Sequence, residues 1–201
     1  MGEPIVEWLN QQQDNMVELL RDLVDIDSNS FDKAGVDRVG ARLTAFFDDN
    51  EIPHETIPLE EYGDAIRAVV SGGDGNQPIL LCGHRDTVFP TGEVEKRPFS
   101  IADGKAFGPG VADMKPGLVI NAFILAAFHK FGGHPNPLVG LFTGDEEIGS
   151  PASRDVITAE AKKARLAFNS EPSRPSGNIV TRRKGGIFCR CEISGVAAHS
   201  G

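Results

Sequence analysis

Apolar positions along the chain recur at two spacings, and the two together outline the fold. Met16, Val17, Leu19, Leu20, Leu23, Val24 and Ile26 repeat at helical spacing, which predicts one amphipathic helix beginning near residue 5. Val36, Val39, Leu43, Phe46 and Phe47 predict a second. Residues 65–71 alternate as a strand does, and the glycine-rich stretch 72–76 then leads into Ile79, Leu80, Leu81 and Cys82. The two strands are expected to pair as a hairpin, making part of the sheet antiparallel. Residues 117–131 are apolar almost throughout and predict a buried helix, with Phe123, Phe128 and Phe131 in the core. Residues 138–143 read as a central strand, 153–164 as a solvated helix and 166–168 as a short strand. A Pro/Ser/Gly loop covers 172–177, and 187–193 predict a further strand after a boundary near Lys184. Strands alternating with helices place the chain in the α/β class.

Composition narrows the function classes. The chain has 201 residues, 40% hydrophobic and 24% charged, enough for one domain and the start of another. A net charge of -9 argues against nucleic acid or an anionic membrane as partner. The longest apolar stretch, 118–128, is interrupted by Asn121 and is too short to span a bilayer. The amino terminus lacks the basic start and apolar core of a signal peptide, so a cytoplasmic location is expected. Cys82, Cys189 and Cys191 are odd in number and form no CxxC pair, which predicts packing residues rather than disulfides or a zinc knuckle.

The chemistry sits where the apolar runs end. His84-Arg85-Asp86 follows the strand at 79–82, Asp145-Glu146-Glu147 follows 138–143, and Glu171 follows 166–168. Asp113 stands in a Gly-Pro-Gly turn before the buried helix. In an open α/β sheet, functional groups gather beyond the carboxyl ends of the strands. Imidazole and carboxylates meeting at that edge are ligand types for a catalytic zinc centre. Taken singly, each residue has a plainer reading: a strand-end His, a helix N-cap at Asp113, an acidic first turn at Glu146 and Glu147, a surface turn at Glu171. The glycine stretch 72–76 has no following Lys-Ser/Thr and opens no helix, which sets aside a nucleotide-binding module.

Five strings occur in order: Gly83-His84-Arg85-Asp86-Thr87-Val88, Gly108-Pro109-Gly110-Val111-Ala112-Asp113-Met114-Lys115, Gly144-Asp145-Glu146-Glu147-Ile148-Gly149-Ser150, Ser170-Glu171-Pro172, and Gly195-Val196-Ala197-Ala198-His199-Ser200-Gly201. They resemble the signature set of the dizinc aminoacylase/carboxypeptidase family, which includes glutamate carboxypeptidase, acetylornithine deacetylase and succinyl-diaminopimelate desuccinylase. The Gly-Pro-Gly before Asp113 and the stretch from Ser150 to Asp155 look closest to the glutamate carboxypeptidase branch. The resemblance implies a three-layer α/β/α zinc-exopeptidase-like catalytic domain with a mixed sheet over 1–184. It also implies the first strand of an α+β lid and dimerisation domain over 185–201.

By the same resemblance, two Zn2+ ions occupy a complete site, with Co2+ or Mn2+ as alternatives. Asp113 would bridge them, His84 and Glu171 would complete one metal position, and Glu147 would serve the other. Glu146 would be the general base and acid, Asp86 would orient His84, and His199 would help hold the oxyanion. The lid often carries that histidine across a dimer interface, so a homodimer is implied at full length. The implied reaction is hydrolysis of an amide bond in an N-acyl amino acid or small peptide. Pro116 replaces a glycine common in relatives, a change compatible with a first helical turn. Relatives continue beyond this point and return to supply sheet strands and a final His ligand. The expectation is therefore a fragment of the catalytic domain, with an inactive remnant that retains partial metal binding as the alternative.

Overall fold

The computed structural model describes residues 2–199 other than 76, 175, 183, 188 and 197. The amino-terminal helical pattern resolves into two helices, α1 (Gly2–Asn10) and α2 (Gln13–Val24), where one was expected. The polar run from Asn10 to Asn15 offers no apolar anchor, so the chain turns there and the two helices pack separately. Trp8 of α1 lies against Phe123, with ring centroids 6.2 Å apart, while Leu19 and Leu23 of α2 enter the main core. Helix α3 (Lys33–Asp49) is capped by Asp32, whose carboxylate accepts from the Gly35 amide at 3.0 Å.

The strands follow as β1 (His54–Ile57), β2 (Ala65–Val70) and β3 (Ile79–His84), then the short helix α4 (Glu93–Lys96) and a small hairpin of β4 (Ser100–Ala102) and β5 (Lys105–Phe107). Helix α5 (Lys115–Lys130), strand β6 (Leu138–Thr143), a 3-10 turn (Glu146–Ile148), helix α6 (Arg154–Lys163) and strand β7 (Leu166–Asn169) complete the order. The main sheet runs β1-β2-β6-β3-β7. β2 pairs antiparallel with β6, whereas β3 pairs parallel with both β6 and β7. The sheet is mixed, as expected, but β2 and β3 do not form the expected hairpin. β6, buried at every position, inserts between them and takes the central place.

The layers follow from alternation along β6. Leu138 and Phe142 face the core built with α1, α2, α3 and α5, while Val139 and Leu141 pack with Leu80 against Val156 and Ile157 of α6. Helices therefore cover both faces of a mixed sheet, the α/β/α arrangement expected. Of the three phenylalanines expected in the core, Phe123 is buried and Phe128 packs against the core, but Phe131 remains 36% exposed beside Trp8. The expected strand over 187–193 is not formed among the described residues, which are exposed there. An extended segment becomes a strand only with a hydrogen-bonding partner, and no pairing is made to it among the described residues. Among the described residues, no helix is long and apolar enough to cross a membrane.

Candidate metal centre

The carboxyl ends of β3, β6 and β7 and the amino terminus of α5 meet at one edge of the sheet. His84 is the last residue of β3 and is 1% exposed. Its Nδ1 lies 3.0 Å from the Asp86 carbonyl oxygen and 3.3 Å from Asp86 Oδ1. Its Nε2 faces a ring of carboxylates: Asp113 Oδ1 at 3.3 Å, Glu171 Oε1 at 3.6 Å and Glu146 Oε2 at 3.7 Å. Two ligand groups result, His84/Glu146/Glu171 and His84/Asp113/Glu147, the candidate atoms of each lying within 4.8 Å of one another. All five residues expected around the metals thus converge from positions up to 87 residues apart (84 to 171). Glu146, which the resemblance makes the base, stands in this ring together with the expected ligands.

Asp86 is 0% exposed and organises this edge from behind. Its Oδ1 accepts from the Glu146 amide and its Oδ2 from the Glu147 amide, each at 3.1 Å, and Ser30 Oγ donates to Oδ2 at 2.7 Å. Besides its contacts with His84, Asp86 therefore holds the turn that carries Glu146 and Glu147. Asp145, also 0% exposed, clamps the far side of the same turn. It accepts from the amides of Ala152 at 2.8 Å and Ser153 at 3.0 Å, and from Ser153 Oγ. Sequence reasoning missed Ser30 and Asp145, because their partners are not marked by spacing.

The cations near the site point away from it. Arg85 is fully buried, yet its Nη1 donates to the Val36 carbonyl at 3.0 Å and its Nη2 to that of Asp64. Lys115 Nζ donates to the Ile26 carbonyl at 2.8 Å, and burial lowers its pKa to about 7 against the pull of Asp27 and Asp25. His84 is the one basic group ion-paired with the cluster carboxylates among the described residues. Electrostatic crowding follows. Burial raises Glu171 to about 7, with Asp113 and Glu146 adding to it against His84. Burial also raises Glu147. Burial would lower His84, but the hydrogen bond and charge of Asp86, then Glu171 and Glu146, raise it to about 9. An imidazole and four carboxylates with no lysine or arginine among them fit a divalent cation, whose charge offsets this repulsion. Because Asp86 engages Nδ1, only Nε2 faces the ring, and one ring nitrogen serves one metal.

His199 is exposed and belongs to neither ligand group; Ala197, Ser200 and Gly201 of its motif lie outside the described residues. A concavity of about 230 Å³ lies on the helical face, lined by Trp8, Gln12, Arg42, Phe46 and Phe123 among others. It pairs its cation Arg42 with Asp22 at 2.8 Å and contains none of the convergent ligands, so the metal cluster, not this hollow, is the candidate site.

Comparison with known proteins agrees with the fold. Human carnosine dipeptidase 1 superposes with a TM-score of 0.73 at 17% identity, over 87% of this chain and 42% of that one. A dinuclear metal-binding M20 peptidase of Bacillus subtilis superposes at 0.55 with 16% identity, over 80% and 43%. These likenesses show that the chain shares the α/β fold of those proteins. Residues 80–198 match the model of peptidase family M20/M25/M40, and the chain belongs to that family. Carboxypeptidase G2 of Pseudomonas sp. (strain RS-16) is 31% identical over 195 residues. The alignment covers 94% of this chain and 46% of that protein, so the chain spans about half the length of this relative.

Proposed function

We propose that the chain carries the metal-holding and proton-handling half of an amide hydrolase acting on an N-acyl amino acid or small peptide. The observation that supports it is the convergence of His84, Asp113, Glu146, Glu147 and Glu171 on one sheet edge without a basic side chain apart from the imidazole. His84, Asp113, Glu147 and Glu171 would hold the metals, with Asp113 serving both as the resemblance implies; zinc is the ion the resemblance points to, and these mixed donors accept cobalt or manganese as well. Bound zinc would supply Lewis acidity toward the substrate carbonyl and lower the pKa of water.

Glu146, whose side chain is 50% exposed beside His84, is placed to exchange protons with bulk and substrate. It accepts a proton from the attacking water and delivers it to the departing nitrogen as the carbon–nitrogen bond breaks. Asp86 would keep the proton of His84 on Nδ1, leaving Nε2 as the nitrogen available to a metal. In this reading His199 supplies a donor to the oxyanion, as its motif suggests. The name of carboxypeptidase G2 favours removal of a carboxy-terminal residue over other amide cleavages. A cytoplasmic setting accords with the three free cysteines, and a homodimer through the lid accords with the family pattern.

The test is release of free amine from such amides by the zinc-loaded protein. Glu146→Gln should lower turnover by roughly 10²–10⁴-fold while zinc stays bound. Retained turnover in that variant removes Glu146 from this role.

A further inference from the structure

We propose that Ser30 is a positioning residue for the Glu146–Glu147 turn, acting through Asp86. The proposal rests on the reading of those two glutamates as proton carrier and ligand. A carboxylate's last torsion is soft and roughly two-fold, so the plane of Asp86 is not fixed by its own rotamer preference. Here each of its oxygens has two partners: Oδ1 meets His84 Nδ1 and the Glu146 amide, while Oδ2 meets the Glu147 amide and Ser30 Oγ. The Ser30 contact is the shortest of the four, at 2.7 Å, and is a hydrogen bond to an ionised group between residues 2% and 0% exposed. Without it, the carboxylate can rotate away from both amides.

Ser30 is itself held in register with the chain beyond β3. The Thr87 amide donates to the Ser28 carbonyl at 2.7 Å, the Ser30 amide donates to that of Thr87 at 3.3 Å, and Asn29 bridges Thr87 in parallel. Asn29 Nδ2 adds a bond to the Phe89 carbonyl at 3.0 Å. The segment before α3 is thus a prop laid along the back of the site. The same segment supplies an internal control: Ser28 Oγ is buried and makes no hydrogen bond among the described residues.

Amide hydrogen exchange in the metal-free 201-residue protein reads the bracket directly, whatever ion the site prefers. Ser30→Ala should speed exchange at the Glu146 and Glu147 amides by roughly ten- to a hundredfold. Ser28→Ala should leave both at the wild-type rate, and Ser30→Thr, which restores a hydroxyl, should return them toward it. Unchanged exchange in Ser30→Ala, or equal acceleration in Ser28→Ala, overturns the bracket. Zinc titration then tests its consequence: Ser30→Ala should bind about 10–100-fold more weakly than wild type. Equal affinity would reduce Ser30 to a structural residue and overturn the positioning role. Absence of zinc binding in the wild type would instead strike the metal reading, and the exchange comparison would still decide the bracket.

Discussion

β6 and β7 flank β3 in one sheet and are both short and apolar, yet β6 is buried at all six positions and β7 is exposed at all four. Position in the sheet makes the difference. β6 has a paired strand on each edge and a helix layer on each face, whereas among the described residues β7 pairs only with β3 and lies at the edge. The candidate centre spans the two. His84, Asp86 and the Glu146–Glu147 turn are braced by buried side chains on the β6 side. Glu171 hangs from the end of β7. The candidate centre therefore has one half set by long-range hydrogen bonds and another held by an edge-strand pairing and the Ser170 Oγ bond to Asn121 at 2.7 Å.

The largest expected effect contrasts the two strands. Phe142 is 0% exposed and stacks near Phe47 at 5.6 Å, so Phe142→Ala should cost about 3–5 kcal/mol. Phe168 is 54% exposed, and Phe168→Ala should cost no more than about 0.5 kcal/mol. Denaturant unfolding of both variants measures this, and comparable losses would break the contrast. Next comes Gly117, where α5 meets the segment after β7. An added Cβ would sit 2.2 Å from the Ser170 carbonyl oxygen, next to Glu171. Gly117→Ala should destabilise by about 1–3 kcal/mol and weaken zinc binding, because the displaced backbone carries the proposed ligand Glu171. Unaltered zinc affinity would show that Glu171 is held independently of this contact.

A smaller effect lies in pH. His84 in the folded, metal-free protein binds its proton more tightly than its ordinary 6.5, at about 9, so its contribution is full below 6.5 and is lost as pH rises through 9. Glu171, raised from 4.5 to about 7, loses its contribution as pH rises through 7. Both slopes have the same sign. Lys115, lowered from 10.5 to about 7, contributes the opposite slope above pH 7 and offsets His84 there. The melting temperature of the metal-free protein should therefore fall between about pH 5 and about pH 7, and zinc should flatten the fall by replacing those protons. A melting temperature that rises over that range would contradict the charge crowding at the site.

What the sequence made legible divides along physical lines. β6 and α5 were readable because their burial is written as continuous apolar runs. Of the candidate ligands, His84, Glu147 and Glu171 were readable because each stands at or just beyond the end of an apolar run, and Asp113 because its glycine-rich turn opens the buried helix. β1, with the sequence His-Glu-Thr-Ile and no fully buried position, carries too little apolar signal to declare itself. The hairpin expectation failed because the true partner of β2 lies about 70 residues downstream, beyond what a local turn signal can specify. The two bonds from Asp86 to the Glu146 and Glu147 amides cross about 60 residues of chain and leave no trace in spacing. Gly40 was equally silent, although any side chain there would collide with the buried guanidinium of Arg85.

Zinc retained per folded chain after dialysis against a weak chelator tests the central claim most directly. The wild-type 201-residue protein should keep one zinc firmly, because a single ring nitrogen faces the ligand ring, with any second ion held more loosely. The double variant Asp113→Ala, Glu171→Ala, which takes one carboxylate from each ligand group, should fold and keep none. A wild type that retains no zinc, or a folded double variant that retains as much, would contradict the assignment of this edge as a metal centre.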